Sequence, residues 1–245
     1  DPKTGTLIRD GVPSIINHDD KTGIEAALQL KEQLGGTVTV VSMGPPQADV
    51  ALREALAMGC DEAYLVSARE FGGSDTYATS GIIAAALKKI GYDLIITGRQ
   101  AIDGDTAQVG PQIAEKLHLP QVSYVEEVVE AAADHVVVKR QFEDGYHIIK
   151  IKTPCLLTAI AELATPRYMS VRGIVEAYEK EIKVLGFEDL KDGLELDMIG
   201  LKGSPTNVYQ SFTKEVKGAG TILEGLSADE AVKAIMDKLE AKFII

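Results

Sequence analysis

The 245-residue sequence contains few of the residues on which several classes of protein depend. Its two cysteines, Cys60 and Cys155, are too few for a disulfide framework and form no C-x-x-C pair, so a reducing compartment is expected. The four histidines are scattered, with no H-E-x-x-H motif and no histidine beside a candidate nucleophile. Metal-dependent or triad catalysis is therefore not expected, and redox chemistry would need a bound cofactor.

Positive charge and long apolar runs are also scarce. There are 25 Lys and Arg residues against 37 Asp and Glu residues, a formal net charge of −12. Binding to nucleic acid or to an anionic membrane is not expected, because nucleic-acid affinity depends on cations at phosphates. No apolar run reaches the roughly 18 to 20 residues that span a bilayer, and no signal-peptide pattern is visible. We expect a soluble, cytoplasmic protein.

The sequence does contain an alternation of helical and strand patterns. A helix over 20–34 is predicted from apolar residues at helical spacing, namely Ile24, Ala27, Leu28, Leu30 and Leu34. The β-branched run Thr37–Met43 is typical of a strand buried on both faces. Further helices are predicted at 47–58, 75–90 and 107–117, and further strands at 62–66 and 93–97. This alternation predicts a doubly wound, Rossmann-like α/β domain with a mostly parallel sheet.

The later residues depart from this alternation. Strand patterns at 136–141, 146–152 and 155–160 follow, and the last two are interpreted as an antiparallel addition. We predict an α/β domain over 1–165, an extended arm over 166–226 and a C-terminal helix over 227–245, which Ser227 and Glu230 begin with a capping box. The arm either wraps over a partner or lies loose on the surface. Because no strand pattern precedes the first helix, we expect the first strand of the domain to lie ahead of this sequence.

The stretch Gly98–Pro111 is the best candidate for a ligand site. It lies between a buried strand and a helix, which is where ligands bind in open α/β sheets. Asp105 is the expected N-cap, and the first amides of the helix, from Ala107 to Val109, would face a diphosphate with Arg99 as a mobile countercharge. An ordinary turn before a capped helix remains an alternative. A metal site is disfavoured because no third carboxylate is adjacent.

Two other loops have narrower interpretations. Phe71–Thr76 resembles the S-G-G-x-D-S loop of ATP pyrophosphatases, but Phe71 replaces the first serine, so Ser74 or Asp75 is expected to cap the next helix. Asn17–Asp20 is expected to form a turn and a helix cap on the ligand side of the sheet. No G-x-G-x-x-G fingerprint occurs. The residue patterns alone therefore indicate a nucleotide-binding α/β domain and nothing narrower.

Four runs of the sequence resemble the β subunit of electron-transfer flavoproteins. They are G-R-Q-A-I-D-G-D-T-A-Q-V-G-P at 98–111, V-S-M-G-P-P at 41–46, A-L-A-M-G-C-D-E-A at 55–63 and P-R-Y-M-S-V-R-G at 166–173. The resemblance extends in order over nearly the whole chain. It implies a heterodimer with a larger α subunit that holds FAD, and it also implies a first strand ahead of Asp1.

The resemblance also implies the site residues. The stretches 17–20 and 94–109 would line the adenosine diphosphate part of a nucleotide. The implied contacts are Asn17, Asp20, Met43, Gly44, Gly98, Arg99, Gln100, Ala101, Asp103, Gly104, Thr106, Ala107, Gln108 and Val109. His18 stands where the family commonly has proline. Val171 and Arg172 match the recognition loop, in which an aliphatic side chain docks into an acyl-CoA dehydrogenase, but the flank 176–180 is less basic than is usual in the family.

Residues 103–111 resemble the electron-bifurcating branch of that family. That branch holds a second FAD in the β subunit, whereas conventional members hold AMP there and usually have an Asp at position 104 and an Asn at position 107. The resemblance implies that NADH reduces this FAD, and that electrons pass to ferredoxin or flavodoxin and, through the α-subunit FAD, to an acyl-CoA dehydrogenase or related flavoenzyme. The alternatives are a conventional β subunit with structural AMP and, more distantly, an ATP-using pyrophosphatase-like or stress-protein-like module.

Overall fold

The computed structural model describes residues 11–206, 208–209, 212 and 218–245. These residues belong to two compact units, of which the first ends at Val208 and the second begins at Tyr209. None of the described helices is long and apolar enough to cross a membrane.

The first unit has an α/β fold, as predicted. Its helices are α1 (His18–Leu34), α2 (Asp49–Met58), α3 (Thr76–Ile90), α4 (Val109–Leu117), α5 (Val171–Glu179) and α6 (Phe187–Leu190). Its strands are β1 (Thr39–Met43), β2 (Glu62–Val66), β3 (Leu94–Gly98), β4 (Gln121–Ala131), β5 (His135–Phe142), β6 (Gly145–Lys152), β7 (Cys155–Ala159) and β8 (Ile182–Leu185). Short 3-10 helices occupy Pro46–Ala48, Arg69–Phe71, Lys191–Gly193 and Leu196–Met198.

The strands form two sheets. The first is parallel in the order β1-β2-β8, and the second has the order β3-β7-β4-β5-β6. In the second sheet β3, β7 and β4 are parallel, whereas β5 and β6 pair antiparallel. Among the described strands, none pairs with the second edge of β1 or of β3. The mixed sheets confirm the predicted fold class.

Two strands differ from the prediction in their surroundings. All five residues of β7 are buried, and the strand lies between β3 and β4. It therefore belongs to the parallel core, and the antiparallel addition consists of β5 and β6 instead. β1 was expected to be buried on both faces, but all its residues are only half-buried, and among the described strands it pairs with β2 alone.

α1 packs against residues of both sheets. Ile24 packs against the core cluster around Leu52 and Leu56, which Val40 of β1 also joins. On the side of β3, Gly23 is so close that a Cβ atom there would lie 3.0 Å from Ile96 Cγ2. The small residue thus permits the helix to approach the strand. The first turn of α1 is thereby placed beside the carboxyl end of β3.

The structure differs from the predicted arm over 166–226. Residues 171–179 form α5, and β8 extends the first sheet beside β2. Arg53 of α2 donates from Nη1 to the backbone oxygens of Ala177 and Lys180, each at 2.6 Å. Lys180 donates to the backbone oxygen of Cys60 at 2.8 Å. These contacts join segments 120 or more residues apart, so local sequence patterns do not reveal them.

The second unit contains one described helix, α7 (Ala228–Glu240). Ser227 is its N-cap and accepts a hydrogen bond from the backbone N–H of Glu230, while the Glu230 carboxylate accepts from the backbone N–H of Ser227 at 2.9 Å. The predicted capping box is therefore confirmed.

Candidate functional site

The start of α1 is hydrogen-bonded to the end of β3. Asp20 accepts a hydrogen bond from the backbone N–H of Gly98 at 2.6 Å. Asn17 donates from Nδ2 to Asp20 Oδ2 at 2.8 Å and to the backbone oxygen of Gln100 at 2.9 Å. The stretch 17–20 was expected to contain a turn and a helix cap, and Asn17 occupies the N-cap position, but its side chain bonds no helix amide. It links α1 to the following loop instead.

Asp20 is an unusual carboxylate because it lies in a partly buried position. Burial raises the pKa of Asp20, although the hydrogen bonds from Gly98 and Asn17 act in the opposite direction, and neighbouring Asp19 raises the pKa further. Burial disfavours the ionised form of a carboxyl group. The two donors are therefore what stabilises the Asp20 carboxylate here.

A cavity of about 310 Å³, lined mostly by polar residues, opens beside this network. Its volume is near the lower end of the range for small-molecule sites. The residues that line it are Asn17, His18, Asp19, Arg99, Gln100, Ile102 and Asp105. The cavity thus joins two predicted stretches, 17–20 and 94–109. Met43 and Gly44, at the end of β1, are not among its lining residues.

Arg99 is the cation of the cavity, but it already has a partner. Its Nε lies 3.5 Å from Asp19 Oδ2, and its guanidinium is 6.0 Å from the centre of the Tyr124 ring. The buried Nε makes no hydrogen bond to the described residues. Arg99 therefore has donor capacity left for a ligand, and binding an anion would compete with the contact to Asp19.

The loop before α4 differs from the predicted cap. α4 begins at Val109, and Gln108 is its N-cap without a capping side chain. Asp105 has a left-handed backbone, with φ 51°, and its carboxylate accepts from Gln100 Nε2 rather than from a helix amide. The prediction of Asp105 as N-cap is therefore wrong. Ala107 is also left-handed, with φ 54°, so the helix starts two residues later than predicted.

Most of the other predicted contacts in this loop face solvent. Ala101, Asp103, Gly104 and Thr106 are exposed, whereas Gly98 is buried behind the cavity. Gly110, in the first turn of α4, is also buried, and a Cβ atom there would lie 2.6 Å from Thr97 Oγ1. The start of α4 is therefore held closely against β3.

Sequence reasoning missed a contact between α3 and the loop. Thr76 Oγ1 donates to Gln108 Oε1 at 2.9 Å, and one turn further Ser80 Oγ donates to Gln112 Oε1 at 3.1 Å. The matching i, i+4 spacing of hydroxyls on α3 and amides on α4 is the signal that could have revealed it. The contact places the start of α3 beside the start of α4.

In the loop Phe71–Thr76, which resembles a phosphate-binding loop, the polar side chains are hydrogen-bonded to other residues of the protein. Ser74 Oγ donates to the backbone oxygen of Phe71 at 2.8 Å and accepts from the backbone N–H of Gly200 at 3.1 Å. Asp75 caps α3 as predicted, accepting from the N–H of Ala78, and also accepts from the N–H of Thr206 at 2.9 Å. Its polar groups are therefore engaged within the protein.

The segment expected to bind a partner is helical. Val171, the first residue of α5, has 81% of its surface exposed. Arg172 pairs with Glu176 at 2.6 Å on the exposed side of the helix. Val175 and Tyr178 are also exposed. The helix therefore presents an apolar strip to solvent.

These features define the class of protein: an α/β protein with a cavity, lined mostly by polar residues, at the carboxyl end of a parallel strand. Comparison with known proteins gives the family. A family model described as "Electron transfer flavoprotein domain" matches residues 4–190, and the chain belongs to the electron transfer flavoprotein family.

Three relatives illustrate the similarity. The electron transfer flavoprotein subunit beta of Thermoanaerobacterium thermosaccharolyticum is 55% identical over 246 residues, covering 100% of this chain and 93% of the relative. The caffeyl-CoA reductase-Etf complex subunit CarD of Acetobacterium woodii is 53% identical over 247 residues, with the same coverage. The acryloyl-CoA reductase electron transfer subunit gamma of Anaerotignum propionicum is 55% identical over 247 residues, covering 98% and 92%.

Proposed function

We propose that this chain is the β subunit of an electron-bifurcating flavoprotein heterodimer in the cytoplasm, and that its cavity holds the adenosine diphosphate part of an FAD. NADH is the electron donor in this proposal. The other electron-transfer partners are an α subunit with its own FAD, an acyl-CoA dehydrogenase or related flavoenzyme, and a low-potential acceptor such as ferredoxin or flavodoxin.

The cavity between α1 and residues 99–105 is the observation that carries the proposal. Its volume of about 310 Å³ suits one part of a dinucleotide rather than the whole, so the rest of the cofactor would extend beyond it. Asn17, Gln100 and Arg99 offer side-chain or backbone polar groups at its wall. The backbone amides from Ala107 to Val109, which lead into α4 and include its first residue, are the candidate phosphate donors.

The charged side chains of the cavity do not by themselves favour an anion, so the backbone must contribute. The lining has one guanidinium, that of Arg99, against two carboxylates, those of Asp19 and Asp105. A diphosphate would therefore be held by the backbone amides of residues 107–109 together with Arg99, after Arg99 turns from Asp19. When bound, FAD supplies the hydride and single-electron chemistry, and the protein supplies binding and electrostatics.

Two observations favour the FAD-binding branch over a conventional AMP-binding subunit. One is the pair Gly104 and Ala107 within residues 103–111, at the positions that distinguish the two branches in the resemblance. The other is that similar relatives carry the names of CoA-ester reductase subunits. A Cβ atom at Gly104 would meet open space, so the absence of an aspartate there is not imposed by packing.

The exposed apolar strip of α5 is the candidate docking site for the dehydrogenase. Val171 is its most exposed aliphatic residue, and Val175 and Tyr178 extend it along the helix. Arg172 lies beside it but is paired with Glu176. Recognition would therefore rest more on apolar contact than on the lysine-rich flank typical of the family.

Counting the cofactors tests the proposal. The heterodimer purified with its α subunit is expected to contain two FAD and no AMP, measured by chromatography of the released nucleotides. The double variant Gly104→Asp/Ala107→Asn is expected to contain one FAD and AMP. Asn tolerates the left-handed backbone at position 107, so folding is not expected to suffer. One FAD and one AMP in the unmodified heterodimer would contradict bifurcation.

A further inference from the structure

Asp20 connects the two walls of the cavity without lining it. Its two oxygens take one donor each: the backbone N–H of Gly98, at 2.6 Å to Oδ1, and the Asn17 amide, at 2.8 Å to Oδ2. The same Asn17 nitrogen donates to the backbone oxygen of Gln100 at 2.9 Å. Asn17 and Gln100 line the cavity, whereas Asp20 and Gly98 do not.

The contact between Asp20 and Gly98 leaves no space for a side chain at position 98. A Cβ atom there would lie 2.8 Å from the backbone nitrogen of Asp20 and 2.9 Å from its Cγ and Oδ2. Such distances are not tolerated without a shift of the neighbour. The close approach of α1 to β3 at this point therefore depends on both residues.

The network requires a carboxylate rather than an amide at position 20. An ionised carboxylate only accepts hydrogen bonds, so it can receive both donors at once. An asparagine would place its own NH₂ group against one of them. If Asn17 turned its amide over in response, its oxygen would face the backbone oxygen of Gln100, and that bond would be lost.

We propose that Asp20 is a positioning residue of the nucleotide site, which fixes the Asn17 amide and the Gly98–Gln100 backbone in the arrangement that receives the ligand. Asp20 lies outside the lining of the cavity and would not touch the ligand. This differs from the direct contact between Asp20 and the nucleotide that the resemblance implies. This inference rests on the proposed function of the cavity.

The test measures the dissociation constants of FAD and of AMP for heterodimers stripped of the β-site nucleotide. Two variants disturb Asp20 in different ways. Asp20→Asn removes one acceptor, and Gly98→Ala displaces Asp20 while keeping its charge. Both are expected to weaken binding on the order of tenfold, which is typical for the loss of a hydrogen bond to a charged group.

A matched control is available at the other end of α1. Asp61 accepts from the backbone N–H of Val38 at 2.8 Å and from Lys31 at 2.6 Å, which ties that end of the helix to the residue before β1. Asp61→Asn is expected to leave nucleotide affinity within twofold of the unmodified protein. An equal loss of affinity in Asp61→Asn would overturn the proposal, because it would show a general effect of loosening α1.

A double-mutant cycle separates positioning from mere stability. Asn17→Ala removes one of the two groups that Asp20 holds in place, so Asp20→Asn is expected to weaken binding less in that background than in the unmodified protein. Additive effects, or folded Asp20→Asn and Gly98→Ala proteins that bind like the unmodified one, would refute the role of Asp20. If Asp20→Asn does not fold, Gly98→Ala decides alone. Failure of the unmodified heterodimer to bind either nucleotide would instead refute the proposed function.

Discussion

At the residue scale, Glu25 shows how a buried charge is accommodated in α1. It is 4% exposed, and Arg167 donates to it from Nε at 2.8 Å, from Nη2 at 3.0 Å and from its backbone N–H at 3.1 Å. Burial alone would raise the pKa of Glu25, but the hydrogen bonds from Arg167 and Gln29 lower it overall. Arg167 thereby anchors the segment that leads to α5.

Replacing Arg167 with alanine is expected to destabilise the protein by about 2 to 3 kcal/mol at pH 7, somewhat less than for a fully buried pair, because Glu25 would be left without its partner. A carboxyl group with a lowered pKa stabilises the fold above its unfolded pKa, and this contribution is lost as the pH falls through the folded pKa. The difference between the two proteins should therefore shrink in acid. Urea unfolding from pH 7 to pH 3 measures it.

Arg172→Ala is the control for this prediction, because Arg172 pairs with Glu176 on the solvent side of α5. Exposed pairs contribute little, so its unfolding free energy should match that of the unmodified protein. An Arg167→Ala protein that is equally stable at neutral pH would show that water replaces the guanidinium at Glu25.

Residue types alone predicted part of the site. Glycines, Arg99 and Gln100 between a strand and a helix identified the loop, and Asn17 was placed near it. The left-handed backbone of Asp105 and Ala107 was not predicted, because both residue types usually adopt other conformations. The contact of Thr76 with Gln108 depends on how two helices pack, which a single sequence does not state.

At the element scale, α5 is held in place by close backbone packing. A Cβ atom at Gly173 would lie 2.6 Å from the backbone oxygen of Ala57 in α2. Gly173→Ala is therefore expected to push α5 away and to cost about 1 to 3 kcal/mol, as overpacking typically does. Gly145→Ala is the matched control, because a Cβ atom there meets open space. Chemical denaturation of both variants measures the difference.

A Gly173→Ala protein as stable as the Gly145→Ala protein would mean that α5 adjusts freely on α2. Weakened binding of the dehydrogenase by Gly173→Ala, without a change in its exposed residues, would additionally support α5 as the docking element.

Helices and strands that strong local patterns mark were predicted well at this scale, whereas arrangements that depend on distant parts of the chain were not. Helix α3 lies within one residue of its predicted bounds because Asp75 caps its start, and strand β2 has the predicted bounds. The buried face of α1 was predicted to include Leu34, which is 55% exposed, whereas Thr22, Gly23 and Glu25 are buried. The buried face of α1 is determined by the close approach of Gly23 to β3 and by the pairing of Glu25 with Arg167. Neither contact follows from the spacing of hydrophobic residues.

At the scale of the whole molecule, acidity and nucleotide binding are compatible. The net charge of −12 argues against nucleic acid, whose binding needs many cations. A single diphosphate needs few, because backbone amides before a helix and Arg99 can supply the donors. The remaining negative charge is a property of the surface, where it favours solubility and can complement basic partners.

Stability is expected to be uneven across the two sheets. Among the strands that the structure describes, β7 pairs on both sides and is buried throughout, whereas β1 pairs on one side and is half-buried. Backbone amides exchange with solvent through local openings, which are rarest where a strand has two neighbours and no exposed face. Hydrogen exchange should therefore be slowest in β7, and faster in β1 and in the exposed edge strand β6. If β1 proved as protected as β7, its second edge would have to be covered in solution, and the two sheets would then behave as one.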